Sequence, residues 1–193
     1  METKWLQISL IHYPVTVLGI GKRIGIWTQG CSLRCNGCMS EHTWDFNGGE
    51  RIYFDRLFEK LSKFNSKRIT VSGGEPFEQK YFLEFLRELK KLGFEDVFVY
   101  SGFEWKYIKK NFSKHLGYID AIVCGKFIKG KESEFLYKGS DNQEMIILNK
   151  NFYAEYLRYK SLKKDKKLQK VRNYIIGIPY QKDLEKLKDS NVI

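Results

Sequence analysis

Three cysteines fall within eight residues of this chain: Cys31, Cys35 and Cys38, with the spacing C-x3-C-x2-C. Thiolates this close in sequence can bind one inorganic centre without ligands from distant segments. A structural zinc site is closed by four protein ligands, and the common four-cysteine iron–sulfur cluster has one thiolate on each iron. A cluster held by only three cysteines leaves one iron open to a small molecule. The spacing therefore indicates a cofactor that takes part in a reaction.

A zinc knuckle is the structural alternative for the same loop. Because His42 lies shortly after Cys38, a tetrahedral site of three cysteines and one histidine can be drawn from this segment alone. The cysteine spacing favours an open iron–sulfur cluster, and we expect His42 to be a surface or core-edge residue. The sequence by itself leaves both kinds of site open.

A glycine-rich turn, Gly73-Gly74-Glu75-Pro76, is the second motif that could serve chemistry. On its own it can be a tight turn, since glycines accept unusual backbone angles and proline ends strand pairing. It can also contact a ligand, because glycines let the backbone approach closely while the Glu75 carboxylate accepts hydrogen bonds from an ammonium group. An amino-acid-like ligand on an open iron would need such a partner.

The elements that must position these motifs read as alternating strands and helices. Apolar residues at helical spacing predict helices over Phe54–Phe64, Tyr81–Leu92 and Glu104–Phe112. β-Branched and aromatic runs predict strands over Gln7–Ile11, Ile24–Thr28, Ile69–Ser72, Val97–Tyr100, Ile119–Cys124 and Met145–Leu148. The alternation from residue 69 to residue 124 is typical of right-handed parallel βα units.

Each unusual loop directly follows one of these predicted strands. The cysteine loop follows the strand that ends at Thr28, and the glycine-rich turn follows the strand that ends at Ser72. Ser101-Gly102 and Gly125-Lys126 follow the next two strands. Because the carboxyl ends of parallel strands share one edge, where α/β proteins place their active sites, we expect the four loops to meet on one rim.

The chain has 193 residues, 42% of them hydrophobic, which suits one packed domain. The fourth cysteine, Cys124, lies far from the loop, so the pattern is not a disulfide framework and indicates a reducing cytoplasm. We expect Cys124 to be a buried strand residue. No segment reads as a membrane span or a secretory signal, so we expect a cytoplasmic protein without a membrane partner.

The net charge of +11 is concentrated in one segment. Arg158 to Arg172 holds eight basic residues against Asp165 alone. Such a block can bind nucleic acid or an acidic partner, but we favour a solvated lysine-rich helix. We predict a polar helix over Asn151–Arg172, a strand over Tyr174–Ile178 and a short closing helix over Lys182–Asp189.

Together, the cysteine motif and the Gly-Gly-Glu-Pro turn resemble the radical S-adenosylmethionine (SAM) superfamily. Further elements resemble one branch of it, the anaerobic ribonucleoside-triphosphate reductase activating proteins, which activate a glycyl-radical enzyme. The resemblance spans residues 12 to 148 and is carried by Gly30-Cys31, Gly37-Cys38, Thr43-Trp44, Ser72 to Pro76, Tyr100 to Phe103, Gly125 to Phe127 and Gly139-Ser140-Asp141-Asn142-Gln143. Two positions depart from the branch: Cys124 replaces the usual acidic residue, and Lys138 replaces the usual arginine.

The resemblance implies a [4Fe–4S] cluster on Cys31, Cys35 and Cys38, with SAM bound to the open iron through its amino and carboxylate groups. A one-electron donor such as flavodoxin or ferredoxin would drive cleavage of SAM, and the resulting radical would take a hydrogen from a glycine of the partner reductase. No catalytic residue beyond the cluster and SAM is implied. The implied SAM contacts are Gly37, Met39, Gly73, Gly74, Glu75 and Ser101.

The resulting expectation is an α/β fold. Residues 1–149 would form a radical SAM core with an incomplete parallel (β/α)6-type barrel, and residues 150–193 a basic C-terminal extension packed on or beside it. The extension is a candidate docking surface for the reductase. Two other functions remain as alternatives: a radical SAM enzyme that modifies a small molecule, peptide or nucleic acid, and a zinc-containing binding module. Nucleic acid is the less favoured partner.

Overall fold

The structure is a computed structural model that describes residues 3–164, 168–171, 174–180 and 182–183. Its strands are β1 (Trp5–Val15), β2 (Arg23–Thr28), β3 (Glu50–Tyr53), β4 (Arg68–Gly73), β5 (Asp96–Ser101), β6 (Ala121–Cys124), β7 (Glu144–Ile147), β8 (Leu168–Val171) and β9 (Tyr174–Gly177). Its α-helices are α1 (Phe54–Ser62), α2 (Phe82–Lys91), α3 (Trp105–Asn111), α4 (Ser113–Leu116) and α5 (Tyr153–Lys160). Short 3₁₀ turns cover Glu41–Thr43, Pro76–Glu78 and Lys150–Phe152.

Seven strands form one mostly parallel sheet in the order β3-β1-β2-β4-β5-β6-β7. The four central strands β2, β4, β5 and β6 are parallel neighbours, as the alternation predicts. The outer pairings β3–β1, β1–β2 and β6–β7 are antiparallel, which departs from an all-parallel arrangement. For the pair β1–β2 the reason is the connection, because β1 leads into β2 through a short segment without a helical crossover, and a short connection permits only antiparallel pairing.

Strand β3 has no counterpart among the predicted strands. Of its four residues only Ile52 is buried, so the sequence carries too little apolar signal for a strand. Its backbone pairing with Trp5 to Ile8 of β1 is a long-range contact that local pattern cannot reveal.

One face of the sheet packs on helices α1 to α4. Alternate residues of the central strands, such as Ile26, Val71 and Val99, are fully buried in this layer. They share one core with Leu57 of α1 and Phe85 of α2. The apolar side chains that alternate along each strand therefore pack against the apolar faces of α1 and α2 in a single layer.

The opposite face is covered by the end of the chain. Helix α5 packs Tyr156 against Phe98 of β5, with ring centroids 5.3 Å apart. The β8–β9 hairpin buries Val171 and Ile176 in a cluster with Trp27 of β2. The central strands are thus buried on both faces, which explains why β2 carries no exposed position.

A buried ionic network fixes α5 to the sheet. Arg23 Nη1 donates to Asp96 Oδ2 at 2.6 Å, and Tyr156 Oη donates to Asp96 Oδ1 at 2.5 Å. Arg23 Nε also donates to Thr70 Oγ1 at 2.8 Å. Arg23 and Asp96 begin β2 and β5, so this network lies at the amino ends of the strands, on the edge opposite the cysteine loop.

The helix predicted over Asn151–Arg172 is wrong in its second half. Helix α5 ends at Lys160, and residues 168–171 form β8, paired antiparallel with β9. The buried side chain of Val171 and its pairing with Tyr174 select the strand. The closing helix predicted over Lys182–Asp189 lies outside the described residues, apart from residues 182 and 183. None of the described helices has the length and apolarity that a membrane crossing needs.

Candidate cofactor site

Four loops meet at the carboxyl edge of the parallel strands, as their positions in the sequence predict. They follow β2, β4, β5 and β6 and hold the cysteines, the glycine-rich turn, Ser101-Gly102 and Gly125 to Phe127. Backbone hydrogen bonds join the first two loops: Gly74 N donates to Thr28 O at 2.8 Å, and Glu75 N donates to Gly30 O at 2.9 Å. The cysteine loop therefore starts from a rigid base.

The cysteine loop is short, folded on itself and held at both ends. Gly30 N donates to Thr43 O at 2.8 Å, and Cys31 N donates to Trp44 O at 3.1 Å, which closes the loop. Within it, Cys38 N donates to Cys35 O at 3.1 Å. Gly37 has φ +75°, a left-handed conformation that glycine adopts without strain. This turn sets the backbone direction just before Cys38.

All three loop cysteines are free thiols. Burial raises the pKa of each above the ordinary 9.0; the pKa of Cys38 rises to about 11, to which the proximity of Cys35 and Cys31 makes a smaller contribution. The three sulfurs are thus close enough to influence one another. Because a metal centre binds thiolates, loading it must displace protons from these groups.

Three thiols from one short loop form a donor set that an iron–sulfur cluster can use. Among the described residues, no three His, Cys, Asp or Glu side chains converge as ligands of one metal ion. On a four-iron cluster each thiolate binds a different iron, whereas the four ligands of a structural zinc site share one ion. His42, the fourth ligand of the zinc alternative, packs its ring on Tyr174 with centroids 4.7 Å apart.

Gly73 and Gly74 are required by the contact between two loops. A Cβ at Gly73 would lie 2.6 Å from Thr28 O, and its φ of +96° is unfavourable for any other residue. A Cβ at Gly74 would overlap the carbonyl oxygen of Gly30. The glycines thus allow the turn to lie directly on the residue that precedes Cys31.

Glu75 links the glycine-rich turn to the loop after β5. Its side chain is 1% exposed and accepts hydrogen bonds from Ser101 Oγ at 2.8 Å, Gly102 N at 2.7 Å and Phe77 N at 3.2 Å. Burial raises the pKa of Glu75 from 4.5 to about 7, and these three donors oppose the rise. A carboxylate offers about four lone-pair sites, so one acceptor site remains beyond the three that are used.

A cavity of about 150 Å³ opens beside the third cysteine. Of the predicted site residues, Gly37, Cys38 and Met39 line it. The others, Cys31, Cys35, Gly73, Gly74, Glu75 and Ser101, lie outside its lining, although Ser72, which precedes the glycines, is part of the wall. The remaining wall is mostly apolar and includes Trp27 and Tyr100. Both belong to the inner face of the sheet, which is the face opposite helices α1 to α4.

The segment Gly139 to Gln143 contributes to the family resemblance, but its sequence does not indicate what the segment does physically. Gln143 Oε1 accepts from Gly139 N at 2.7 Å, and its Nε2 donates to Gly125 O at 2.8 Å. Asn142 Nδ2 donates to Lys126 O at 2.8 Å. The two amide side chains therefore hold the loop after β6 against the next segment, and Gly139 and Gln143 line the cavity.

The sequence did not predict a role in the cavity for Tyr174 to Pro179, but it did predict the burial of Cys124. Tyr174 to Pro179 line the cavity, and no motif in the sequence marks them for that place. Cys124 is buried at 2% exposure in β6, as expected, and burial raises its pKa to about 12. Its sulfur faces the backbone carbonyl of Glu144 at 3.6 Å and takes no part in the loop.

Known proteins resemble most of this chain. The family described as "4Fe-4S single cluster domain" matches residues 17–146. The anaerobic ribonucleoside-triphosphate reductase-activating protein of Haemophilus influenzae is 29% identical over 147 residues, covering 69% of this chain and 94% of that protein. Its namesake from Enterobacteria phage T4 is 30% identical over 141 residues, covering 69% and 89%. The structure of QueE from Escherichia coli overlaps 51% of this chain and 52% of that one, with 19% identity and a TM-score of 0.44. From the match over residues 17–146 and the similarity to the two activating proteins, the chain belongs to the 4Fe-4S single cluster domain family and to the anaerobic ribonucleoside-triphosphate reductase-activating proteins.

Proposed function

We propose that this chain is a radical SAM activase that generates a glycyl radical on anaerobic ribonucleoside-triphosphate reductase. The observation that carries the proposal is the folded loop of three cysteines at the carboxyl edge of the sheet, with a cavity beside Cys38. The names of the relatives supply the partner. When bound, the cluster supplies one electron that cleaves SAM to methionine and a 5′-deoxyadenosyl radical, which takes a hydrogen atom from a glycine Cα of the reductase.

The chain's own residues bind and orient the cofactors. Cys31, Cys35 and Cys38 would each ligate one iron and leave the fourth iron for the amino and carboxylate groups of SAM. The methionyl end would lie near the turn that holds Glu75, whose remaining acceptor site suits an ammonium group. Because three donors already fix this carboxylate, it cannot rotate away from the turn.

The other predicted contacts divide between the cavity and its support. Gly37 and Met39 line the cavity next to Cys38 and would contact SAM there. Gly73 and Gly74 would act through the backbone by holding the turn against the cysteine loop. Ser101 would position the Glu75 carboxylate through its 2.8 Å hydrogen bond.

The cavity walls would protect a reactive intermediate. Apolar side chains from the sheet, such as Leu10, Trp27 and Tyr100, form much of the lining. A mostly apolar wall would keep water away from a reactive intermediate and so limit its side reactions. Residues 1–149 would form this catalytic core as an incomplete parallel (β/α)6-type barrel, with residues 150–193 as a basic C-terminal extension packed on or beside it, of which α5, β8 and β9 are described.

The electron donor would be a small acidic protein such as flavodoxin or ferredoxin. Lys126 lies exposed in the loop after β6, close enough to Cys35 for its charge to favour the thiolate. The chain as a whole carries a net charge of +11. Opposite charges on the two proteins would steer a short-lived electron-transfer complex toward this edge.

The decisive experiment is anaerobic reconstitution with iron and sulfide, followed by addition of SAM, reductant and the reductase. We expect iron and sulfide to load, 5′-deoxyadenosine to form, and electron paramagnetic resonance (EPR) to detect a glycyl radical on the reductase. Cys35→Ala should lose SAM cleavage, whereas the matched control Cys124→Ala, which alters a cysteine outside the loop, should keep it.

Three outcomes would contradict the proposal at different levels. One zinc per chain without iron or sulfide would establish the binding-module alternative. Cleavage of SAM that persists in Cys35→Ala would refute the cluster ligands. Cleavage of SAM without a radical on the reductase would leave the superfamily chemistry intact and point to another substrate.

A further inference from the structure

The β8–β9 hairpin belongs to the part of the chain that follows the segment matched by the family, residues 17–146. It is nonetheless firmly attached to the sheet. Gln169 Nε2 donates to Pro14 O at 2.6 Å, and Gln169 Oε1 accepts from Thr16 N at 3.2 Å. Val171 and Ile176 are buried beside Leu10 and Trp27. The hairpin therefore packs on the inner face of the sheet through both hydrogen bonds and buried side chains.

The same hairpin forms one wall of the cavity next to the cysteine loop. Residues 174 to 179 line the cavity together with Gly37, Cys38 and Met39. Tyr174 and His42 both contribute to the lining, and their rings pack with an interplanar angle of 33°. This aromatic pair joins the hairpin to the turn that follows the cysteines.

The chemistry of this wall suits the nucleoside half of SAM. In the proposed function the charged methionyl half is bound by the open iron and the turn at Glu75. What remains for the rest of the cavity is a flat, neutral purine and its ribose. The hairpin and the residue after it offer Tyr174, Ile176 and Ile178, which are aromatic or apolar, and the ring of His42 packs on Tyr174 in the same lining.

We propose that the β8–β9 hairpin is the nucleoside-binding wall of the SAM site, with the Tyr174–His42 pair as the aromatic surface for the purine. This inference rests on the proposed function. It gives the C-terminal extension a role in cofactor binding that is separate from docking of the reductase. It also makes Tyr174 a SAM-affinity determinant that lies outside the segment matched by the family.

The test measures ligand affinity with anaerobically reconstituted protein. Equilibrium dialysis gives the Kd for SAM in the unaltered chain, Tyr174→Ala, Tyr174→Phe and the matched control Lys170→Ala, an exposed residue of β8 that does not line the cavity. Methionine is the second ligand, followed by the change that it causes in the EPR spectrum of the reduced cluster.

We expect Tyr174→Ala to bind SAM about tenfold more weakly, the size expected for loss of one base-stacking ring. Tyr174→Phe and Lys170→Ala should bind SAM normally, and the methionine response should be the same in all four proteins. Unchanged SAM affinity in Tyr174→Ala would overturn the inference. An equal loss of the methionine response would also overturn it, because the hairpin would then support the whole site. If the unaltered, iron-loaded chain binds no SAM, the proposed function itself fails.

Discussion

Replacing Glu75 with glutamine tests the most unusual electrostatic feature of the site. The carboxyl group is 1% exposed, and burial raises its pKa from 4.5 to about 7. A proton is therefore bound more tightly in the folded chain than in the unfolded one. The difference between the ordinary pKa of 4.5 and the raised pKa of about 7 corresponds to roughly 3 kcal/mol of proton-binding free energy, at 1.36 kcal/mol for each pKa unit.

The sign of the effect follows from proton linkage. Between pH 4.5 and pH 7 the folded state binds more protons than the unfolded state, so the free energy of unfolding falls as pH rises. The contribution of Glu75 is largest below pH 4.5 and is lost by about pH 7. Glu75→Gln cannot ionise and lacks this slope. It also exchanges an acceptor for a donor opposite Gly102 N, which costs about 1–3 kcal/mol at neutral pH.

Urea denaturation of the reduced, cluster-free protein at several pH values measures the effect. Between pH 5 and pH 8 we expect the unfolding free energy of the unaltered chain to fall by about 2 kcal/mol relative to that of Glu75→Gln. Carbon-13 titration of the Glu75 carboxyl group gives its pKa independently. Parallel stability curves, or a carboxyl group that titrates at or below pH 4.5, would refute the reasoning, since the three donors would then outweigh burial.

Two further predictions concern a close backbone contact and a buried hydrogen bond. Gly74→Ala places a methyl group on the Gly30 carbonyl oxygen, so the glycine-rich turn must separate from the cysteine loop. Iron and sulfide per chain after reconstitution should fall sharply while circular dichroism keeps its helical signal, and normal loading would contradict this account. Tyr156→Phe removes the donor to Asp96 in the buried network. It should lower the unfolding free energy by about 1.5–3 kcal/mol in urea denaturation without changing iron content, and an unchanged midpoint would show that the bond contributes nothing net.

The positions of the four loops could be predicted from the sequence because each signal is local. Strand β2 ends at Thr28, and the cysteines follow within a few residues, so the order of elements is enough to place the loop on the carboxyl edge. The same holds for the turn at Gly73 and for Ser101. Parallel βα units need no long-range information to direct their carboxyl ends to one side.

The role of the glycine-rich turn was only half predictable. The residue types allowed either a tight turn or close approach to a ligand, and they did not identify the approaching group. The structure shows that backbone of the cysteine loop lies against Gly73 and Gly74. Likewise, Glu75 was expected to offer acceptors, but the donors it meets, Ser101 and Gly102, come from a different loop.

The sequence by itself determined the candidate ligand set, since three thiols lie within eight residues wherever the chain places them, and the family resemblance pointed to an iron–sulfur cluster. It also determined the parallel centre of the sheet through the alternation of strand and helix patterns. Only the tertiary structure decided what covers the inner face. The antiparallel edges, strand β3 and the β8–β9 hairpin depend on hydrogen bonds such as that from Gln169 to Pro14, which join residues far apart in sequence. Such pairing is selected by the shape and unpaired groups of the folded sheet, and no local pattern records it.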